Sequence, residues 1–372
     1  MKQTARIIST YSADTFGVCS ALFELGGMVV MHDASGCNST YTTHDEPRWY
    51  DMDSMVYISG LSEMEAIMGD DEKLIQDIVE AAESLKPRFI AIAGTPIPTM
   101  TGFDYDAVAS LIEARTKIPA FGFATTGMNT YVSGAAMAFA GIARRFVKRN
   151  VEKTAHLSAN LLGVTPLDFS VNGSDHSMVQ FLEKAGFEVI SKWAMGSTIE
   201  ELSEAGRATV NLVVSATGLE AAKVLQELFG TPYVIGTPVG KAYQEVLKRE
   251  LLHAAKAGVH EASYSELSDS KIAVIGEGVT SLSLAQAIEL EYEIGVKVLC
   301  ATECDKNILR EKDEKVSCEE EIERALQTVK MVIADPLYEP ICPKYVKFMP
   351  LPAENFSGRI YRSEIPNLIG GF

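Results

Sequence analysis

Two cysteines stand where a thiol is placed to be used. Residues 29–38 read VVMHDASGCN, an apolar run that ends at Gly36 and Cys37. A Gly-Cys corner at the carboxyl end of a strand sets a thiol on a tight turn where backbone can approach a ligand closely. Cys19 closes the stretch YSADTFGVC, in the expected first turn of a helix. There, free N–H groups and the macrodipole favour the thiolate, the form that binds metal. Their separation of 18 residues matches no local finger or ferredoxin spacing. On the residues alone, cluster ligands and buried structural thiols both remain open.

The elements that must position these thiols follow one pattern. Apolar strand-like runs alternate with amphipathic segments of helix length, as in parallel sheets covered by helices. ARIIST, MVVMHD, SMVYIS, FIAIAG and IPAFGF read as strands, with helices at 16–25, 72–85, 104–114 and 132–147. After a break at KRNVEKT come the strands SANLLGV, FEVISKW, ATVNLVVSA and PYVIG, with helices at 174–185, 198–204 and 218–229. A long helix over 240–262 closes this unit, and KIAVIGEG, VKVLCATE and KMVIADP form the strands of a third that has no obvious final helix. The expected fold class is α/β, three Rossmann-like domains with mainly parallel sheets, divided at 1–152, 153–265 and 266–372. In an open parallel sheet ligands bind beyond the carboxyl ends of the strands. In the first unit this brings four loops to one edge, those of Cys19, of Gly36 and Cys37, of Glu63 in GLSE, and TPIPTMTG.

Composition narrows the partners. Of 372 residues, 33 are Lys or Arg and 50 Asp or Glu, a formal net charge of -17. Without a basic face a nucleic-acid partner is not expected. The start MKQTARIIST lacks the apolar core of a signal peptide, and the apolar stretch 134–143 is far below the roughly 20 residues that span a bilayer. A cytoplasmic protein is therefore expected, with no membrane partner. Its six cysteines then argue for metal, redox chemistry or burial rather than a disulfide framework.

At these residues the chain resembles the nitrogenase component 1 family. That family includes the dark-operative protochlorophyllide and chlorophyllide reductases and the reductive cyclase of nickel-tetrapyrrole biosynthesis. VVMHDASGC is similar to the family's strand followed by His-Gly-Pro-x-Gly-Cys, with His32 on the histidine. SGLSEMEAIMGDDEKLIQDI and FIAIAGTPIPTMTGFDYDAV resemble its Glu-to-Lys-Leu segment and its Thr-Cys strand. ANLLGVTPLDFS, AMGSTIEELSEAGRATVNLVVS and FGTPYVIGTPVG resemble elements of its second domain, so the likeness runs in order across nearly the whole chain.

The resemblance implies an oxidoreductase subunit that takes electrons from an ATP-dependent iron-sulfur reductase protein through an interfacial 4Fe-4S cluster. The substrate, held where the three domains meet, is then a small molecule or tetrapyrrole-like compound rather than dinitrogen. Cys19 and Cys37 fall on the first two ligand positions, with Gly36 letting backbone approach the cofactor. The third position is Pro96, after Thr95, and proline cannot ligate iron. Cubane clusters usually take four cysteines. A homodimer sharing one cluster supplies them by symmetry; a heterodimer with a related chain, or an oxygen ligand such as Asp14, are the other routes. Asp33, Ala34 and Ser35 replace the family's Gly-Pro turn. Two rival functions keep the same fold: a non-catalytic scaffold for metal-cluster assembly, and a metal-free Rossmann-like binding protein.

Weaker signals complete the reading. Gly276 and Gly278, with Ser281 in place of a third glycine and Glu303 downstream, form a partial dinucleotide fingerprint, or simply a tight strand-to-helix turn. Cys300 and Cys304, with Cys318 and Cys342 far downstream, are set against plain core packing of Cys300. The loop STYTTHDEPRWYD, with His44 and Asp45, is set either over the cluster or as a packed excursion. His156, His176, His253 and His260 share no spacing and are expected at the surface. No carboxylate or histidine is tied to a pocket by spacing, so the sequence names no catalytic acid.

Overall fold

Short apolar runs make the strands because a segment covered by helices on both faces has no polar side to show. In the computed structural model, which describes residues 6–7, 13–34, 46–258, 267, 269–305 and 307–370, they form three sheets. The first holds β1 (Met28–Met31), β2 (Met55–Ile58), β3 (Ile90–Ala93) and β4 (Ala120–Phe123) in the order β2-β1-β3-β4. The second holds β5 (Ser158–Val164), β6 (Glu188–Ala194), β7 (Val210–Val213) and β8 (Tyr233–Ile235), in the order β6-β5-β7-β8. In the third, β9 (Ser270–Gly276), β10 (Gly295–Cys300), β11 (Glu314–Lys315), β12 (Met331–Ala334) and β13 (Lys347–Pro350) run β11-β10-β9-β12-β13. Every paired strand is parallel. The α/β class with parallel sheets is thus what the chain adopts.

Local chemistry fixes most helix limits. The helix Glu72–Leu85 fills its predicted span, and Ser62 and Glu65 close a capping box on the helix Glu63–Met68. The long helix ends at Ala257 rather than at 262, because Gly258 takes the left-handed conformation, φ 70°, and caps it. Two short strands, β11 and β13, escape a reading based on apolar runs: Glu314 and Lys315 are exposed, and β13, at the sheet edge, is exposed except at Phe348. The predicted strand ARIIST lies mostly outside the described residues. Its Arg6 and Ile7 are not in a strand; their backbone N–H groups donate to Glu319 at 2.6 and 2.7 Å, against the helix Glu319–Ala325.

Two joints set the frame, one inside the first unit and one between the second and third. The helices Asp14–Leu22 and Tyr131–Phe146 meet almost backbone to backbone. A Cβ on Gly17 would stand 2.0 Å from the Tyr131 carbonyl oxygen, and one on Gly134 only 1.8 Å from that of Asp14. The segment after β13, assigned by sequence to the third domain, returns to the second. Ser170 donates to Glu354 at 3.3 Å, Asn172 to the Ile365 carbonyl at 3.2 Å and Gln244 to that of Ile369 at 2.6 Å.

Because neither helix can yield without losing its partner, Gly134→Ala is expected to cost about 3 kcal/mol or more, the upper end for overpacking. Urea unfolding should show a lowered midpoint, whereas Gly69→Ala, at a position with open space around it, should show only the cost of its left-handed φ of 64°.

Candidate functional site: three crevices that share one junction

Each sheet reverses its winding once, between β1 and β3, β5 and β7, and β9 and β12, and each reversal opens a crevice at the strands' carboxyl ends. At the first crevice the Thr95 hydroxyl donates to the His32 carbonyl at 2.8 Å and reaches Asp33 Oδ1 at 3.1 Å. The His32 ring meets Ser59 through Nδ1 at 2.9 Å and lies 4.5 Å from the Phe103 ring. Burial lowers its pKa to about 4 against the opposing pull of Asp33 and Glu65, so the ring is neutral at pH 7. Pro96 opens the helix Pro96–Thr101, and its Cδ lies 2.8 Å from where a Cβ on Gly127 would stand. Glu63 begins the helix Glu63–Met68 and is exposed.

The structure redraws the setting of Cys19. The helix begins at Asp14, two residues before its expected start, because Asp14 is locked into the loop after β4. Its carboxylate accepts from the N–H groups of Thr126 at 3.0 Å and Gly127 at 2.7 Å, and from Asn129 Nδ2 at 3.1 Å. Cys19 is therefore not in the first turn. It lies about 7 Å down the helix axis, at roughly 1.5 Å per residue, and is fully buried beside Val18 and Leu22. Burial, then the Glu46 carboxylate, push its thiol well above the ordinary range. The same bonds occupy Asp14, which is buried, so that carboxylate is a structural anchor rather than an oxygen ligand. Gly36 and Cys37 lie outside the described residues, as do His44 and Asp45. Among the described residues, no group of three or more His, Cys, Asp or Glu could hold a metal ion. The neighbouring Arg48 is buried, stacks 4.7 Å from the Phe23 ring and bonds Glu24, Glu46 and the Ser20 carbonyl, so this part of the loop is a packed anchor.

The three units meet around Tyr131. The Tyr131 hydroxyl donates to Asp168, beyond β5, and accepts from Asn355 Nδ2 at 2.7 Å. Thr165 donates to the other Asp168 oxygen at 2.7 Å. Thr130, next to Tyr131, donates through both its N–H, at 3.0 Å, and its hydroxyl to Glu303, beyond β10. Burial, and then the nearby Glu277 carboxylate, raise the Asp168 pKa to about 7. Asn355 Oδ1 is buried with no hydrogen-bond partner. On one side of this knot lies a cleft of about 530 Å³, with Val132, Ala136, Ala216, Leu219, Glu303 and Cys304 among its walls. On the other, Asp168 shares with Ser174, Thr237, Thr280 and Ser281 a cavity of about 90 Å³, room for a few waters.

The partial dinucleotide fingerprint resolves as the tight turn. Glu277, between Gly276 and Gly278, caps its own helix, Gly278–Tyr292. Its carboxylate accepts from the N–H groups of Val279 at 3.0 Å and Thr280 at 2.9 Å, and from Ala216 N at 3.0 Å. The position a pyrophosphate would take at this helix start is filled by a carboxylate of the chain, and Glu303 is engaged with Thr130 rather than free for a ribose. His156, His176 and His253 are exposed, as expected; His260 lies outside the described residues. Sequence reasoning missed Asp168, Tyr131 and Asn355. A carboxylate in the apolar stretch TPLDF was the available signal for the first.

An aspartate whose folded pKa lies above its ordinary 3.8 binds more protons folded than unfolded. Stability should therefore fall as pH rises from about 4 to about 7 and level off above, by on the order of 4 kcal/mol at ~1.4 kcal/mol per pH unit. Asp168→Asn should flatten that slope in unfolding measurements across this range; an unchanged slope would assign the pH dependence to other groups.

Comparison with known proteins agrees with this architecture. Residues 14–336 match the family described as nitrogenase component 1 type oxidoreductase. The nitrogenase iron-molybdenum cofactor biosynthesis protein NifE of Rippkaea orientalis is 25% identical over 318 residues, 76% of this chain and 65% of that protein. A subunit of the light-independent protochlorophyllide reductase of Nostoc punctiforme is 26% identical over 173 residues, 40% of this chain and 34% of that one. The chain thus spans less than two thirds of the length of these curated relatives. The solved structure described as nitrogenase Cp1 at pH 6.5 superposes with a TM-score of 0.71 at 17% identity, over 99% of this chain and 92% of that one, a likeness of fold. The chain belongs to the nitrogenase component 1 type oxidoreductases.

Proposed function

We propose that this protein is a nitrogenase-like reductase subunit that receives electrons from an ATP-dependent iron-sulfur protein and reduces a small-molecule or tetrapyrrole-like substrate, not dinitrogen, in the three-way cleft. The observation that carries the reading is the junction itself. Reduction of an organic substrate consumes protons with electrons, and Asp168, with a pKa near 7, is an acid at that junction, lining the smaller cavity and joined through Tyr131 to the helix of the cleft wall. Tyr131, which the Asp168 carboxyl holds by hydrogen bond, is followed in its helix by Val132 and Ser133 of the cleft wall. The cleft's apolar side, Val132, Ala136, Met137, Ala140 and Leu219, suits a flat hydrophobic substrate; its polar rim carries both signs, Glu220, Glu303 and Asp305 with Lys315, and Lys223 pairs with Glu220 and Asp305.

In this reading Cys19 and Cys37 hold a 4Fe-4S cluster shared between two subunits, which supplies one-electron transfer. Cys37, six residues beyond β1, carries the greater part of that assignment, since Cys19 is buried in the helix Asp14–Leu22. An exposed apolar face lies at the same edge: Met64, Ile67 and Met68 on the helix Glu63–Met68, Met100 on the helix Pro96–Thr101, and Met128, each more than two-thirds exposed. Apolar side chains gathered this way mark a contact surface, so a homodimer or a heterodimer with a related chain is proposed there. The NifE relatives favour a second reading, a scaffold that holds a metal cluster for delivery, and turnover with a reductant and candidate substrates separates the two.

Iron and acid-labile sulfide on anaerobically purified protein, with its oligomeric mass, test the proposal. About two irons and two sulfides per chain in a dimer are expected, lost in Cys37→Ser. Cys19→Ser should lose iron as well if it is a ligand, and should only lower stability if it is a core thiol. A protein that stays metal-free after reconstitution would leave the fold a binding module.

A further inference from the structure

Four thiols remain that the proposed function does not use, and two of them lie together. Cys300 is the last residue of β10 and Cys304 follows after an irregular turn of three residues. Both sulfurs crowd the same point. A Cβ on Gly278, the first residue of its helix, would stand 2.5 Å from Cys304 Sγ and 3.5 Å from Cys300 Sγ. Only glycine leaves the pair room to converge there. Cys300 is fully buried, while Cys304 is half-buried and forms part of the cleft wall. This is the arrangement of an accessible thiol backed by a second one behind it. Cys318 is exposed, and Cys342 gives its S–H to the Tyr338 carbonyl at 3.3 Å.

We propose that Cys300 and Cys304 are a reversible dithiol–disulfide pair in the wall of the cleft, oxidised by small-molecule disulfides that reach Cys304 through the cavity. The Cys304 thiolate attacks one sulfur of R–S–S–R, forming Cys304–S–S–R and releasing R–S⁻. Cys300 then attacks Cys304 Sγ, closing the Cys300–Cys304 bond and releasing the second R–S⁻. The two thiolates released take up the two protons given by the pair, so two electrons and two protons pass to the small disulfide and two R–SH leave. Each S–H has a backbone acceptor at 3.5 Å, the Thr302 carbonyl for Cys300 and the Asp305 carbonyl for Cys304, and each thiol feels the other: the neighbour draws the Cys300 pKa down and, with burial, raises that of Cys304. Loss of the Cys304 proton places the charge at the cavity. The carboxylates of Glu277 and Asp305 oppose that charge, which slows the first step without blocking it. Closing the bond draws the Cys304 sulfur back over Gly278 and changes the cleft wall.

The test uses the full chain purified without iron, reduced, then exposed to 2-hydroxyethyl disulfide and alkylated with N-ethylmaleimide under denaturing conditions. Trypsin releases residues 298–306, VLCATECDK, with both cysteines in one peptide. The expected peptide carries no alkyl group, is two hydrogens lighter than its reduced form, and regains two alkylation sites after dithiothreitol. In Cys300→Ser the reaction should stop at the mixed disulfide on Cys304; should that variant fail to fold, the wild-type peptide decides alone. Recovery of both thiols alkylated while exposed Cys318 carries the mixed disulfide would overturn the proposal, as would a mixed disulfide that persists on wild-type Cys304. Since no iron is present, a cluster-free protein can pass this test and a cluster-binding one can fail it.

Discussion

The close contact between the helices Asp14–Leu22 and Tyr131–Phe146 governs the arrangement of everything at the junction. Two glycines, Gly17 and Gly134, let each backbone rest on the other's carbonyls. The Asp14 carboxylate pins the start of the first helix to the loop that leads into the second. That pinning fixes where the second helix begins, and its first turn carries Thr130 and Tyr131 to the second and third units. A carboxylate with two lone pairs on each oxygen can bind several N–H groups of a turn at once, which is why one acidic residue can organise so much chain. The cost is that Asp14 has no capacity left for a ligand.

Carboxylates serve a second structural purpose at the junction. Glu277 occupies the start of the helix Gly278–Tyr292, where a nucleotide phosphate sits in dinucleotide-binding proteins of similar topology. The same Glu277, buried and close to Asp168, makes it costly for both to ionise together, so one acid of the pair retains its proton near neutral pH. Packing for fold and tuning for proton chemistry thus come from one side chain.

The loop that bears Cys304 is held from its far end. Arg310 is fully buried and bonds Glu289 Oε2 at 2.9 Å, Asp313 Oδ2 at 2.8 Å and the Val296 carbonyl at 2.8 Å, with Lys312 adding a bond to Glu289 at 2.6 Å. Charges withdrawn from water this completely are stable only with every partner in place, so the network ties the end of the loop to β10 and to the helix behind Gly278. The thiol pair therefore sits on a stretch fixed at both ends.

The elements and their order are written in consecutive residues. Apolar runs of four to seven residues such as IAIA and SANLLGV became strands because their burial needs only neighbours on either face, and helices such as Glu72–Leu85 followed from periodicity and caps. The edge strands β11 and β13, with exposed residues and no apolar run, were not legible that way. The environment of each reactive group, by contrast, arises only once the chain is folded. Cys19 became a core thiol and Asp14 an anchor because a loop more than a hundred residues later supplies the hydrogen-bond donors. Asp168 acquired its pKa from burial and then from a glutamate of another unit, and Cys300 and Cys304 converged because a glycine in a separate strand-to-helix turn leaves them space. Burial, field and approach distance are set by partners remote in the chain, and no spacing within the sequence encodes them.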